Sequence, residues 1–167
     1  KMEVVENDDA TYTVTVDVRN NSDRDGKEVV EIYVQKPYTA LDVKNGVEKA
    51  SVELAGFDKI EIPAGETATA TITVKEKYLT AYDSEVEKTY VIGSEDKDDK
   101  YLFIAAENSH AAVNNALAYK GYTPENTDNR MDAYGNASMV YGKYIAYDNK
   151  TYSTNEYIES QNKNFTP

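Results

Sequence analysis

Few residues in this sequence have the type and spacing that chemistry requires. The single histidine, His110, has no nucleophile and no orienting acid at a spacing that suggests a catalytic triad, so we expect it to be structural or simply exposed. The acidic turn at 93–99 lacks the alternating ligands, the glycine and the distal glutamate of a calcium loop. No phosphate loop, zinc motif or nucleophile elbow occurs. We therefore expect neither a catalytic residue nor a metal ion or other cofactor in this chain.

Tyrosine is the remaining residue type with a chemical use. The chain has 15 tyrosines, no tryptophan and 3 phenylalanines. A tyrosine ring can meet the C–H face of a sugar while its hydroxyl stays in water. Tyrosines are frequent near the C-terminus, and Tyr157 lies among them. The candidate carbohydrate contacts are Tyr134, Tyr141, Tyr144, Tyr147 and Tyr152. On a hairpin they would form a flat platform, but they could equally pack onto the fold or onto a neighbouring domain, and we favour packing.

Composition indicates a folded module and argues against two classes of partner. Apolar residues make up 40% of the 167 residues, enough for a core. The 18 basic residues face 30 acidic ones, and the net charge of −12 disfavours nucleic acid and anionic membrane surfaces. No apolar run approaches the roughly 20 residues of a membrane-spanning helix. Without cysteine, no disulfide can form. The opening KMEVVENDD resembles an internal start, so we expect a fragment of a longer protein.

Apolar and polar residues alternate in several short segments, which is typical of strands with one buried face. The clearest are 12–19 (YTVTVDVR), 28–35 (EVVEIYVQ) and 53–74, where the turn PAGE separates two strands. The residues predicted to face the core from these and the later strands are Val14, Val16, Val30, Ile32, Val34, Leu54, Ile60, Ile62, Ile72 and Phe103. In the crossing segment 78–83, Leu79 and Tyr82 are expected to anchor in the core. About seven strands predict an all-β antiparallel sandwich.

The period changes after residue 108. The stretch SHAAVNNALAYKG predicts a helix of about three turns, with Ser109 as N-cap and Gly121 after its end. We expect Val113 and Leu117 to dock it.

The C-terminal part is rich in tyrosine and turns. We expect one hairpin there, pairing 143–147 with 151–153 around the turn DNK. The predicted organisation is a sandwich at 1–108, a docked helix at 109–122, and a C-terminal extension or linker at 123–167.

The order of several stretches resembles a known family. GKEVVEIYVQKPY, NGVEKASVELAGFDKIEIPAGETATATITV, LTAYD, KTYV and YLFIAAENSHAAVNNALAYKGYT follow one another as in the fibronectin type III-like domain of family 3 glycoside hydrolases, the β-glucosidase and β-xylosidase family. The resemblance covers most of residues 3–140. The long segment between Pro37 and Leu54 and the helix look like the bacterial subgroup in which the sandwich precedes the barrel domain.

This resemblance implies an accessory role. In that family the nucleophilic aspartate lies in a barrel domain and the acid/base glutamate in an α/β domain, and neither region is in this sequence. The sandwich would pack against those catalytic domains, its expected partners. In some members one of its loops reaches the active-site mouth. We expect the segment 38–51 to be such a protruding loop, with the candidate residues Tyr38, Asp42, Lys44 and Asn45.

Two other functions stay open. The chain could be an autonomous carbohydrate-binding module that holds polysaccharide through its tail tyrosines, or a cell-surface spacer or adhesion module. An exposed apolar patch on one sheet would favour the accessory role, because a missing partner leaves its contact surface bare. Coplanar exposed tyrosine rings would favour sugar binding, and a smooth polar surface a spacer.

Overall fold

The structure is a computed structural model that describes residues 1–128 and 130–152. Across these residues the strands run in chain order as follows: β1 Met2–Glu6, β2 Thr11–Arg19, β3 Gly26–Gln35, β4 Glu53–Ile62, β5 Thr67–Lys75, β6 Ala81–Asp83, β7 Thr89–Val91, β8 Tyr101–Ala106 and β9 Val140–Lys143. The helices are α1 Ala40–Asn45 and α2 Ser109–Tyr119, with short 3-10 turns at Glu76–Leu79, Glu125–Thr127 and Ala137–Met139. None of the helices in this part of the chain is long and apolar enough to cross a membrane.

Seven of these strands form two antiparallel sheets. One sheet has the order β1-β2-β5 and the other β4-β3-β8-β9, while β6 and β7 make a separate hairpin. The predicted all-β sandwich is confirmed. The turn Pro63–Glu66 joins the two sheets, and the Glu66 N–H donates to the Pro63 carbonyl at 3.0 Å.

The inner faces of the two sheets make the main core. Val14 and Val16 on β2 face Ile32 and Val34 on β3, and the alternation that predicted these strands places each of them inward. Tyr12 and Phe103 fill the centre with ring centroids 4.9 Å apart. The predicted core residues belong to or border this core except Leu54 and Ile62. Ile62 is nevertheless buried, and Ile60 is only partly buried.

The prediction for Leu54 is wrong because β4 contains a bulge. Ile32 pairs with Gly56 and the next residue, Tyr33, pairs with Leu54, so Ala55 is an extra residue in β4. A one-residue shift sends every following side chain to the opposite face of a sheet. Ala55 therefore packs against the main core, while Leu54 points outward and is 51% exposed.

The prediction for Tyr82 is also wrong. Leu79 is anchored in the core as expected, but Tyr82 is 51% exposed. It lies on the outer side of the β6–β7 hairpin, where its ring meets the Tyr90 ring edge-on at 5.2 Å. Asp83, the next residue along the strand, takes the buried position.

Helix α2 covers the outer face of the four-stranded sheet and creates a second, smaller core. Its N-cap is Asn108, one residue before the predicted Ser109, and the Asn108 side chain accepts from the Ala111 N–H at 2.9 Å. The docking stripe is Ala112 and Ala116, which corrects the expected Val113 and Leu117.

Two asparagines of α2 are buried, and the side-chain amide of each has hydrogen-bond partners there. Asn115 donates to the Ala105 carbonyl at 3.0 Å and accepts from the Asn136 N–H at 2.7 Å. Asn114 is buried as well and donates to Asp132 at 3.1 Å. Because these amides find partners, the helix can dock with small alanines at close approach. Gly121, with a φ of 85°, ends the helix as predicted.

Residues 140–148 of the predicted C-terminal extension belong to the sandwich. Strand β9 pairs with β8, and Ala146 and Asp148 bridge to Ser94 and Ile92. The predicted hairpin is therefore wrong for residues up to 152, because residues 145–148 find their backbone partners at 92–94. Its last residue, Ser153, lies outside the described residues, as does Tyr157. A domain boundary at residue 108 would exclude β9, which is a strand of the sandwich.

Glu76 ties the tail to the first sheet. The hydroxyls of Tyr12 and Tyr152 both donate to its carboxylate, at 3.1 Å and 2.8 Å. Burial, reinforced by this carboxylate, raises the pKa of each tyrosine. The two hydroxyls therefore stay protonated and keep their hydrogen bonds over the physiological pH range.

Two substitutions on β3 test the assignment of its faces. Ile32 is fully buried in the main core, whereas Val29, on the opposite face, is 39% exposed. We expect Ile32→Ala to lower the free energy of unfolding by about 2–5 kcal/mol. Val29→Ala should change it by no more than about 0.5 kcal/mol. Urea unfolding monitored by circular dichroism measures both, and equal losses would contradict the assignment.

Candidate functional site

The segment 38–51 contains a short capped helix, α1. Thr39 is the N-cap of α1, where its hydroxyl accepts from the Asp42 N–H and the Asp42 carboxylate accepts from the Thr39 N–H. Gly46, with a φ of 69°, ends the helix in the left-handed conformation that favours glycine. A helix of six residues is too short to show a 3.6-residue period, so the sequence pattern could not reveal it.

A buried ion pair lies within this segment. The Lys49 ammonium lies 2.6 Å from Asp42 Oδ2, and both side chains are about 5% exposed. Lys49 also donates to the Pro37 carbonyl at 2.9 Å, and the Thr39 hydroxyl donates to the same carboxylate at 2.8 Å. A buried charge needs such a complete set of partners to offset its desolvation. The pair therefore closes the segment on itself from residue 37 to residue 49.

A second buried contact holds the other end of α1. Asn45 donates to Asp83 Oδ2 at 2.7 Å, and Asp83 Oδ1 accepts from the N–H groups of Glu85 and Val86. Burial alone would raise the pKa of Asp83, but these backbone and side-chain hydrogen bonds outweigh it and hold the pKa below its usual range. The helix is thereby linked to the β6–β7 hairpin.

These contacts correct part of the predicted protruding loop. Asp42 and Asn45 are each 4% exposed and point inward, because they anchor the segment. Tyr38, at 59% exposed, and Lys44 do face solvent. A role of this segment near a neighbouring domain stays a prediction.

The five candidate tyrosines have different surroundings. Tyr152 packs against the main core, the Tyr144 hydroxyl donates to the Ser94 carbonyl at 3.0 Å, and the Tyr147 hydroxyl is buried. Only Tyr134 and Tyr141, at 69% and 42%, are exposed. Three of the five thus turn inward, and a sugar-contact role for the remaining two stays a prediction.

His110 and the acidic turn have local partners. His110 Nε2 lies 2.7 Å from Asp132 Oδ2 on an exposed surface. In the turn, Asp99 accepts from the Ser94 hydroxyl at 2.7 Å and Asp96 from the Asp98 N–H at 2.9 Å. Within 1–128 and 130–152, no three His, Asp or Glu residues form a group that could hold a metal ion.

The most unusual surface is an exposed apolar patch. The sequence analysis expected such a patch to favour an accessory role, but it did not identify the residues that form it. Val29, Leu54 and Phe57 lie on the outer face of β3 and β4, where their exposed fractions are 39%, 51% and 66%. Beside Leu54, a hollow of about 330 Å³ is lined by Tyr78, itself 49% exposed. We call these four residues the β4 patch. Helix α2 covers the neighbouring strands of this sheet but leaves β4 bare.

Breaking the buried ion pair should be costly. Asp42→Ala leaves the Lys49 ammonium without its carboxylate, so we expect a loss of about 3–5 kcal/mol in the free energy of unfolding. The double variant Asp42→Leu/Lys49→Met should recover most of it, leaving about 1 kcal/mol from the lost cap. Urea unfolding measures both; a double variant no more stable than Asp42→Ala would contradict the pairing.

Asp83 should make stability fall in acid. Its folded-state pKa is below the ordinary 3.8, so its ionised form stabilises the fold above that value and the contribution disappears as pH falls through the lower folded pKa. We expect the stability difference between wild type and Asp83→Asn to be constant from about pH 5 to about pH 7 and to shrink below about pH 3.8. Urea unfolding at several pH values measures it, with the exposed Asp8→Asn as control. An unchanged difference in acid would contradict this role.

Comparisons with known proteins agree with this architecture. Residues 28–95, from β3 to just beyond β7, match the model of the fibronectin type III-like domain. The chain is 32% identical over 88 residues to thermostable β-glucosidase B of Acetivibrio thermocellus, covering 53% of this chain and 11% of that protein. It is 32% identical over 107 residues to the xylan 1,4-β-xylosidase of Xylanibacter ruminicola, covering 58% and 12%. The chain thus spans about a tenth of the length of these relatives.

Solved structures give the same result. The β-glucosidase DesR of Streptomyces venezuelae superposes with a TM-score of 0.52 at 28% identity, covering 65% of this chain and 13% of DesR. The GH3 β-glucosidase of Bifidobacterium adolescentis has the same TM-score and identity, with 65% and 14% covered. The subgroup with reversed domain order stays a prediction. Residues 28–95 therefore match the fibronectin type III-like domain, and the relatives and solved structures that share this part of the chain are β-glucosidases and a β-xylosidase.

Proposed function

We propose that this chain is a non-catalytic accessory module of a family 3-like glycoside hydrolase, and that it packs against the catalytic domains through its β4 patch. The β4 patch is the observation that carries the proposal. The matched stretches make up only 11% and 12% of two relatives of this chain, so most of each relative lies outside the region of similarity. A module of this kind contributes position and rigidity rather than catalytic groups.

The composition of the β4 patch suits a protein partner. Phe57 and Leu54 supply large apolar side chains at its centre, and aromatic residues are enriched in the buried centres of interfaces. Ion pairs lie at both ends of these strands: Lys27 on β3 pairs with Glu61 at 2.6 Å, and Lys36, directly after β3, pairs with Glu53 at 2.8 Å. An apolar centre with a charged rim is the usual anatomy of a specific interface.

The segment 38–51, which contains α1, supplies the second part of the proposal. Its buried contacts to Lys49 and Asp83 hold it rigidly, while Tyr38, Val43 and Lys44 face solvent. Side chains on a fixed support lose little entropy when they meet a ligand or a neighbouring domain. We propose that this segment helps to shape the substrate entrance of the enzyme.

The alternatives receive less support. A spacer needs no contact surface, and a bare aromatic and aliphatic patch would be a liability for it. Polysaccharide binding by a platform of tail tyrosines requires coplanar exposed rings, whereas Tyr144, Tyr147 and Tyr152 turn inward.

Phe57→Ser tests the docking surface by comparing two contexts. In the isolated chain Phe57 is mostly exposed, so its replacement should change the free energy of unfolding by no more than about 0.5 kcal/mol. In a full-length enzyme that carries this module, the same change should destabilise the assembly by about 1.5–3 kcal/mol, because a buried phenylalanine is lost. Urea unfolding of the isolated chain and of the full-length enzyme measures the difference.

Tyr134→Ser is the matched control, because Tyr134 is an equally exposed aromatic residue away from β4. It should have little effect in either context. Equal effects of Phe57→Ser in the isolated chain and in the full-length enzyme would contradict docking through the β4 patch.

A further inference from the structure

A polar cleft lies at one end of the sandwich, and none of the four residues of the β4 patch lines it. The end of β3, the segment after α1, the turn before β8 and the end of α2 converge there and enclose about 480 Å³. Ligand pockets in proteins commonly have volumes of about 300–1,000 Å³. The side chains that matter for recognition are Gln35, Tyr38, Asp98, Lys100 and Lys120.

The walls of the cleft are fixed before any ligand arrives. Lys120 donates to the Gln35 amide oxygen, and the Gln35 amide nitrogen donates to the Ser51 carbonyl at 2.8 Å. This chain of hydrogen bonds joins α2, β3 and the segment after α1. Lys49, which also lines the cleft, is held by its buried pair with Asp42. A preformed site avoids the entropy cost of ordering its walls on binding.

The charges around the cleft balance. Lys36 and Lys49 are neutralised by Glu53 and Asp42, which leaves Lys100 and Lys120 on one side and Asp98 and Asp99 on the other. In a chain with a net charge of −12, this balance is a local exception. Ammonium donors beside carboxylate acceptors suit a neutral ligand with many hydroxyl groups, because each hydroxyl both donates and accepts. A strongly charged ligand would meet repulsion from one of the two sets.

Tyr38 gives the cleft an apolar wall. It is 59% exposed and stands on the rigid segment that Thr39 caps. An exposed aromatic face next to hydroxyl-binding groups matches the two kinds of surface on a pyranose ring, its C–H face and its hydroxyl edge. Partial burial lowers the pKa of Lys120, because desolvation disfavours the charged ammonium.

We infer that this cleft binds a neutral saccharide, with the Tyr38 ring against the sugar face and Lys100, Lys120 and Asp98 at its hydroxyl groups. This site goes beyond the proposed scaffold role, since it needs no catalytic domain. It also differs from the tail tyrosines, none of which lines the cleft.

Affinity electrophoresis of this chain through gels that contain soluble β-glucan, xylan or xyloglucan tests the inference, and a gel with polygalacturonate serves as the charged comparison. We expect retardation in at least one neutral gel and none in polygalacturonate. Tyr38→Ala should weaken that retardation at least about tenfold, and Lys120→Met should weaken it similarly. Circular dichroism of each variant establishes that it is folded.

Tyr134→Ala is the matched control, because it removes an exposed tyrosine outside the cleft. It should leave retardation unchanged, as should Phe57→Ser, so failure of this inference and failure of docking through the β4 patch are separable. Three results would overturn the inference: unaltered mobility in every neutral gel, stronger retardation by polygalacturonate, or retardation that survives Tyr38→Ala in a folded variant.

Discussion

The structure depends on the second half of one strand, β3, which is buried on both faces. Ile32 and Val34 enter the main core, while Tyr33 between them enters the smaller core beneath α2. Both edges of the strand are also occupied, by β4 and β8. Neither core can form without β3 in this register, so the sandwich and its covering helix share a single constraint. The site elements depend on the same strand, because the cleft begins at its last residue and the β4 patch lies on its outer side.

Periodicity was enough to predict most of the fold. In β2 and β5, one face meets the core and the other meets water, so alternation in the sequence maps directly onto burial. The failures have local physical causes. Leu54 follows the alternation of β4, but the bulge at Ala55 reverses its direction. The docking face of α2 contains asparagines, whose burial depends on partners at Ala105 and Asn136 that are distant in sequence.

The candidate sites were harder to predict than the fold, because they depend on which face is left uncovered. Of the residues predicted for a protruding loop, Tyr38 faces solvent, whereas Asp42 and Asn45 are buried because they pair with Lys49 and Asp83. No local pattern marks Phe57 as exposed. Its exposure follows from the position of α2, which covers the other strands of the sheet. Similarly, the cleft collects residues from four separate parts of the chain.

The bulge in β4 has a consequence for the surface of the module. Because Ala55 is a single extra residue, Leu54 pairs with Tyr33 and lies on the outer face. In a strand of the same sequence without the bulge, Ala55 would pair with Tyr33, Leu54 would turn inward opposite Val34, and Glu53 would take the outer position. The presence of the bulge, rather than a change of residue type, therefore decides whether this part of the module presents an apolar or an acidic side chain.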